Sequence, residues 1–531
     1  MSRPDRRDAG RRDTVMAGTR PSEGRHTAAT TLRGSSLLLL GRLLSLAINL
    51  AVQVLIVRHL SKAGYGSFAY ALSIAVFGQT VVVLGLDRGV TRFIPIYEEH
   101  GDYGRIAGVL ALVAGVLGSL SLILIIGVYA LQGVLGGSLI RDDEALHLLL
   151  ILIFFSPIQA ADDLLTNLFA VFARARAIFF RKYLLTPGLR LLVVLLLITA
   201  DRGPSFLAGG YVAASAIGVA IYGAVFVRTL RKIGLLDQLK ASASRVPARE
   251  LFSFTIPLLT TDLLYAVVGV TDAIVLGYYR GPEAVASLRA VQPAAQLNQL
   301  VFYTFLVLFT PMAARLFARR DREGLQDFYW QTTAWIAIVS CPIFFATFSL
   351  ARPASVLLFG DRYSDSGILL TILSLGYYFQ SVLGFNGTTL MIVGKIRFIV
   401  VLNVAAVVVN LVANLALIPP YGALGGAIGT AATLVVHNVL KQVGLRLGTG
   451  IPFLARRYVG LYGSICVAAI TLLLLARVIE ANLLLLAAVA LASVVVLATN
   501  RRLLRLKETF PELLQLPVVR WLFVRRPRVE R

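Results

Sequence analysis

The sequence predicts an all-α integral membrane protein of about fourteen transmembrane helices: two pseudo-symmetric six-helix lobes around a central cavity, with two further helices at the C-terminus. Three observations carry that expectation. Of 531 residues, 57% are hydrophobic and only 15% charged, whereas soluble chains are about a quarter charged, and the mean hydropathy is +0.78. Apolar stretches recur at close to the roughly 20 residues that an α-helix needs to cross ~30 Å of hydrocarbon. Basic residues alternate between the connecting segments in a pattern that one missed or added helix would scramble.

The first 34 residues are rich in Arg, Asp, Gly, Thr and Ser and have neither an apolar core nor a cleavage pattern, so 1–34 reads as a disordered basic cytoplasmic tail. Spans follow near 36–57, 67–87, 106–130, 146–170, 178–199, 206–228, 251–278, 286–311, 328–350, 366–392, 398–418, 423–445, 458–476 and 481–499. With both tails placed in the cytoplasm, 40 of the 51 Lys and Arg fall in inner segments and 8 in outer loops, and 3 (Arg42, Arg190, Arg289) lie within helices. That bias predicts a multi-pass protein of the cytoplasmic membrane with both termini inside. The net charge of +23 then reflects topology, and nucleic acid is not expected as a partner. The C-terminal run from Arg501 to Arg531 suits contact with anionic membrane lipid.

The polar, basic segment from Arg228 to Glu250 is the longest inner connection and the natural seam. It divides an N-lobe (35–230) from a C-lobe (251–447) through a linker (231–250), leaving 448–500 for the last two helices and 501–531 for a basic cytoplasmic tail. An internal repeat agrees with this division. Arg174-Ala-Arg176 precedes the fifth span as Lys395-Ile-Arg397 precedes the eleventh, and Ser61 to Phe68 opens the second span as Pro282 to Leu288 opens the eighth. The two cysteines, Cys341 and Cys466, lie in apolar stretches and imply neither a disulfide nor a metal site.

Polar side chains at bilayer depth usually face a bundle interior or a wet cavity. Arg42, Ser45, Asn49 and Gln53 share one face of the first span, and Asp262, Tyr265, Gly269 and Asp272 one face of the seventh. Arg289, Gln292, Gln296 and Gln299 repeat that spacing in the eighth, where the amides suit sugar hydroxyls or interhelical bonding equally. Asp162 and Asp163 lie in the fourth span, one of them placed to neutralise Arg190 in the fifth. Asn403, Asn410 and Asn414 in the eleventh lean toward packing. Arg42 and Asp262 occupy repeat-equivalent positions and are expected to meet across the midline as part of an inner gate. Asp163, Asp262 and Asp272 are candidates for gating or for coupling to protons or sodium. With no P-loop, CxxC pair, HExxH or Gly-x-Ser-x-Gly, neither an enzyme nor a cofactor is expected.

The first outer turn, Leu60 to Ala69, with Leu84-Gly85-Leu86-Asp87 after it, resembles the start of the polysaccharide flippases of the multidrug/oligosaccharidyl-lipid/polysaccharide exporter superfamily. Asp272 to Gly277, Leu358 to Tyr363, Gly394-Lys395 and Asn414 to Ala427 extend the resemblance over about residues 32 to 500. It implies a V-shaped transporter that flips a polyprenyl-pyrophosphate-linked oligosaccharide by alternating access, with cations on the pyrophosphate. Arg42, Arg88, Arg92 and Arg289 take that role, and Asn49, Gln53, Gln292, Gln296 and Gln299 line the sugar site. A glycan polymerase complex is a candidate partner. Three alternatives remain open: a cation-coupled multidrug antiporter, a lipid II flippase, and a scaffold for glycan assembly.

Overall fold

The computed structural model describes residues 41–138, 140–172, 175–232, 234–241, 245–479 and 482–505. The 1–34 tail, nearly all of the 501–531 tail and Arg174 lie outside the described residues.

Fourteen long helices follow one another, and no strand occurs among the described residues. They are α1 Gly41–His59, α2 Lys62–Glu99, α3 Tyr103–Ala130, α4 Asp143–Val171, α5 Phe179–Thr199, α6 Pro204–Lys232, α7 Ala248–Arg280, α8 Pro282–Ala318, α9 Arg322–Ser349, α10 Ser366–Ile392, α11 Ile396–Tyr421, α12 Ala423–Thr449, α13 Arg456–Leu475 and α14 Asn482–Leu504. Thirteen are long and apolar enough to cross a membrane. The other, α7, has 33 residues and at 1.5 Å per residue reaches ~50 Å. The chain is a multi-pass membrane protein.

α2 extends beyond the apolar run. Leu84 (φ 51°) and Gly85 (φ 67°) adopt left-handed conformations and re-aim the helix, which resumes as Leu86–Glu99. That second half buries Leu86, Val90, Ile94 and Tyr97 and exposes Arg92. The sequence assigns Arg88 and Arg92 to a connecting segment; an amphipathic helix escapes a hydropathy window because its charges cancel its apolar stripe. The linker likewise contains a short helix, Leu235–Ala241, whose Leu235 joins the N-lobe core.

The two sets of six helices repeat closely. The starts of α2 and α8, α3 and α9, and α6 and α12 recur about 220 residues apart, as do two short helices, Gln132–Ser138 and Ala351–Phe359. The turns α1–α2, α3–α4, α5–α6, α7–α8, α9–α10 and α11–α12 form one face. The other face carries the α6–α7 linker, the α8–α9 turn and both described ends, and most of the Lys and Arg; it is called the basic face below.

Packing differs between the two faces. Away from the basic face one apolar core runs through both lobes, joining Ile56, Phe68 and Tyr70 to Leu276, Leu288, Phe359 and Tyr363. Toward the basic face the core divides. One part, around Val90, Phe169 and Phe226, belongs to the N-lobe together with Leu251 of α7; the other, around Phe309, Trp330 and Phe385, ties the C-lobe to α13 and α14. One continuous core therefore joins the lobes away from the basic face, whereas toward it, among the described residues, the N-lobe core takes in only α7 of the C-lobe, whose Leu251 and Thr255 lie against Gly89.

Small residues make the junction away from the basic face, as helix contacts inside a bilayer favour. A Cβ on Gly66 of α2 would overlap the Pro282 carbonyl at the start of α8, and one on Gly277 of α7 would meet the Tyr70 ring at 2.6 Å. Gly66→Val is expected to destabilise the protein by about 1–3 kcal/mol, read as a lower thermal midpoint in detergent. Gly118→Val, in open space on α3, should leave the midpoint unchanged. Equal midpoints for the two variants would show that the lobes do not close at Gly66.

Candidate functional site

Between the lobes lies a cavity of about 670 Å³. α1 lines it with Gln53; α2 with Tyr65, Ser73, Gln79 and Thr80 before its break and Asp87 and Arg88 after it; α4 with Asp163; α7 with Asp262; and α8 with Arg289, Gln292 and Gln296. The left-handed pair at Leu84 and Gly85 is what brings Asp87 and Arg88 onto this wall.

The charges of the wall are largely matched. Arg289 lies 2.8 Å from Asp272, a carboxylate buried just behind the wall, and donates to the Gly269 carbonyl at 2.7 Å and to Gln292 Oε1 at 2.9 Å. Arg88 of α2 reaches across the lobe boundary to Asp262 of α7 at 2.5 Å. Asp163 accepts from the Gln79 amide at 2.6 Å, and Asp87 from Asn167 at 3.4 Å. With three carboxylates and two guanidinium groups on the wall itself, the cavity wall carries no excess of positive charge.

The glutamines of α8 bond to α10. Gln292 and Gln296 both donate to the Tyr377 hydroxyl at 3.2 Å, and Gln299, on a 3₁₀ turn after Pro293, donates to Gln380 at 2.6 Å. Gln292 and Gln296 still border the cavity, whereas Gln299 is not among its lining residues. Gln53 donates to Tyr65 at 2.5 Å. Asn49 is exposed and spends its amide on the Ser45 carbonyl of its own helix.

Two expected pairings are corrected. Arg42 does not meet Asp262: its guanidinium lies 4.6 Å above the Tyr303 ring of α8, while Asp262 pairs with Arg88. Positions related by a two-fold axis lie on opposite seams unless they sit on the axis, so each reaches the second helix of the other lobe. Arg190 is not neutralised by α4 either. It lies 5.8 and 5.4 Å from the Phe155 and Tyr211 rings, and Asp162 instead pairs with the buried Arg181. Arg181 lies on a π-helical turn over Phe179–Leu185 that turns it inward, which residue spacing alone does not show. In α11, Asn403 and Asn410 bond to His437 and Thr433 of α12 at 3.0 and 3.3 Å, as packing requires.

Arg42 and Arg92 form a separate class. Arg92 lies 4.2 Å from the Phe254 ring of α7, as Arg42 does over Tyr303. Neither is within ion-pair distance of a carboxylate among the described residues. At 1.5 Å per residue, Arg42 lies ~16 Å closer to the basic face than Gln53, and Arg92 ~6 Å beyond Arg88. Two carboxylate-free cations thus mark the basic-side rim, one on each seam. Sequence reasoning missed Gln79, Asp87, Tyr65, Tyr377 and Gln380. Gln79 and Asp87 were visible as polar residues flanking the Leu84-Gly85 break; the two tyrosines carry no signal among apolar neighbours.

Over residues 31–317, more than half of the chain, the sequence matches the family described as polysaccharide biosynthesis protein, and residues 257–416 match the MatE family. An uncharacterized membrane protein of Methanocaldococcus jannaschii is 25% identical over 224 residues, 41% of this chain; the match spans 43% of that relative, less than half its length. Among solved structures, lipid II flippase MurJ in an inward closed conformation aligns over 88% of this chain and 99% of its own, with a TM-score of 0.67 and 12% identity. An inward-facing multidrug resistance MATE family transporter gives 0.63 at 15% identity, covering 76% of this chain and 94% of its own. An outward-facing one gives 0.51 at 16%, covering 78% and 94%. At these identities the likeness shows a shared fold.

Removing one member of a buried pair strands the other charge. Asp272→Ala is expected to destabilise the protein by about 3–5 kcal/mol in thermal unfolding, and Asp272→Leu with Arg289→Met to recover most of that loss. A single variant as stable as the double one would rule out a tight pair.

Proposed function

The chain belongs to the polysaccharide biosynthesis protein family and has the fold of the multidrug/oligosaccharidyl-lipid/polysaccharide exporter transporters, and from that premise we propose that it flips a polyprenyl-pyrophosphate-linked oligosaccharide across the cytoplasmic membrane by alternating access. The observation that carries this reading is the division of polar chemistry between wall and rim. The wall offers amides, hydroxyls and carboxylates, which accept from and donate to sugar hydroxyls. The rim offers Arg42 and Arg92, free of carboxylates, on the basic side of the cavity, where the pyrophosphate of an entering lipid would bind. A guanidinium matches phosphate oxygens bidentately, and stacking on Tyr303 and Phe254 holds each one in place. The sugar enters the cavity while the prenyl chain stays in the bilayer, passing the α1–α8 seam beside Arg42.

The excess of wall carboxylates supports a second role. Asp163, bonded to Gln79 and not to a cation, is placed to take up a coupling proton or sodium ion, and a cation-coupled antiporter would use the same group.

The test is reconstitution into vesicles containing an undecaprenyl-pyrophosphate-linked oligosaccharide, followed by measuring protection of the sugar from an external modifying reagent. Transport is expected in the parent protein. Each of Arg42→Ala and Arg92→Ala should slow it about tenfold or more, the value of one charge-assisted hydrogen bond. Vesicles that extrude an organic cation under an ion gradient but move no sugar would assign the antiporter reading instead.

A further inference from the structure

Three outer-face arginines behave unlike the rest of the charged surface, because they donate to groups at the ends of helices in the opposite lobe. Arg58, in the last turn of α1, donates through Nε to the Leu358 carbonyl at 2.9 Å and through Nη2 to that of Leu357. Both acceptors belong to the final turn of the Ala351–Phe359 helix in the C-lobe. Arg362, just beyond that helix, donates through Nη2 to the Val57 and Arg58 carbonyls at 2.6 and 2.7 Å. The last carbonyls of a helix lack partners within it and carry the negative end of its dipole. Each lobe therefore caps a helix C-terminus of the other.

The cross-cap rests on packed side chains. Phe359 and Tyr363 are fully buried in the core shared with Ile56, Val57 and Leu60, and Lys62 Nζ lies 5.6 Å from the Tyr363 ring. The two-fold repeat supplies an internal comparison. Arg280 and Arg141 are the counterparts of Arg58 and Arg362, each displaced by about 220 residues. Arg141 does cross the boundary, donating to the Tyr278 hydroxyl near the end of α7 at 2.9 Å with its guanidinium 4.1 Å from the ring. Arg280 does not cross: it turns back within its own lobe to the Pro419 and Pro420 carbonyls, the latter at 2.8 Å. Among the described residues, four charge-assisted bonds to backbone thus cross between the outer ends of the lobes on the α1 flank, whereas on the α7 flank Arg141 is the outer arginine that crosses, beside the close packing of Gly277 on Tyr70.

We propose that Arg58 and Arg362 form a reciprocal latch that keeps the outer ends of the lobes together on the α1 flank, so that outward opening is completed only when that latch releases. This inference deepens the alternating-access reading. It is tested on lobe separation itself, without any sugar substrate, so its failure and that of the substrate assignment are distinguishable.

The full chain in nanodiscs would carry nitroxide pairs at exposed outer positions, Arg202 with Leu357 for the α1 flank and Ser138 with Glu283 for the α7 flank, read by pulsed electron-electron double resonance. Arg58→Ala with Arg362→Ala is expected to raise the long-distance population on the α1 flank about tenfold or more. Arg141→Ala is expected to do so on the α7 flank alone. Arg362→Lys, which keeps the charge but loses the planar fork, should give an intermediate shift and guards against reading a folding defect as opening; size-exclusion profiles confirm intact protein. An unchanged α1-flank distribution in the double variant would overturn the latch. So would an Arg141→Ala variant that opens both flanks as far as the double variant does.

Discussion

A charge held at bilayer depth has to be matched by an opposite charge, by hydrogen bonds or by water, since hydrocarbon provides none of these. That constraint decides most of what is distinctive here. Asp162 and Arg181 satisfy each other inside the N-lobe, Asp272 and Arg289 do so behind the cavity wall, and Asp262 and Arg88 do so across the lobe boundary. These three pairs link α2 to α7, α4 to α5 and α7 to α8. The same rule makes Arg42, Arg92 and Arg190 conspicuous, because each is stacked on an aromatic ring with no carboxylate in ion-pair range among the described residues, and of these Arg42 and Arg92 lie at the basic-side rim.

Properties local to one helix were readable from the sequence, whereas contacts between helices were not. Helix positions follow from hydropathy, a sum over neighbours in the chain, and the fourteen expected spans fall on the fourteen observed helices. The polar stripes of α1, α7 and α8 were legible because a helical face is set by spacing. Partners were not legible. Arg42, Arg88 and Arg190 each had a carboxylate at a plausible depth, and choosing among such candidates requires the rotation and crossing angle of every helix. The π-helical turn before Thr186 changes the direction of Arg181, and the left-handed pair at Leu84 and Gly85 changes that of Arg88. Neither irregularity has a hydropathy signature.

The repeat is equally informative where it fails. Helix lengths and even the short outer helices recur between the lobes, yet the charges at equivalent positions do not: Arg42 faces Asp262 in the alignment of the halves, and Arg58 and Arg280 share an identity but not a partner. Backbone symmetry suits two bundles that rock against each other about one axis. Two identical seams, however, would have no reason to open in a set order, so a transporter that admits its cargo from one side of the bundle benefits from seams tied by unequal interactions.

The balance of charge bears on what such a cavity can move. A cargo whose own charge had to enter the cavity would face three wall carboxylates against two arginines already engaged, so an anion there would have to break an existing pair at a cost of several kcal/mol. A cargo that leaves its anion at headgroup depth and sends only neutral hydroxyl-bearing rings into the cavity avoids that cost. The guanidinium groups of the wall, Arg88 and Arg289, are paired with carboxylates, whereas Arg42 and Arg92 at the rim have no competing carboxylate. On the proposed reading, a lipid-anchored, two-part molecule would use charge at the rim and neutral polar groups on the wall, whereas a freely diffusing anion would find the wall cations already occupied.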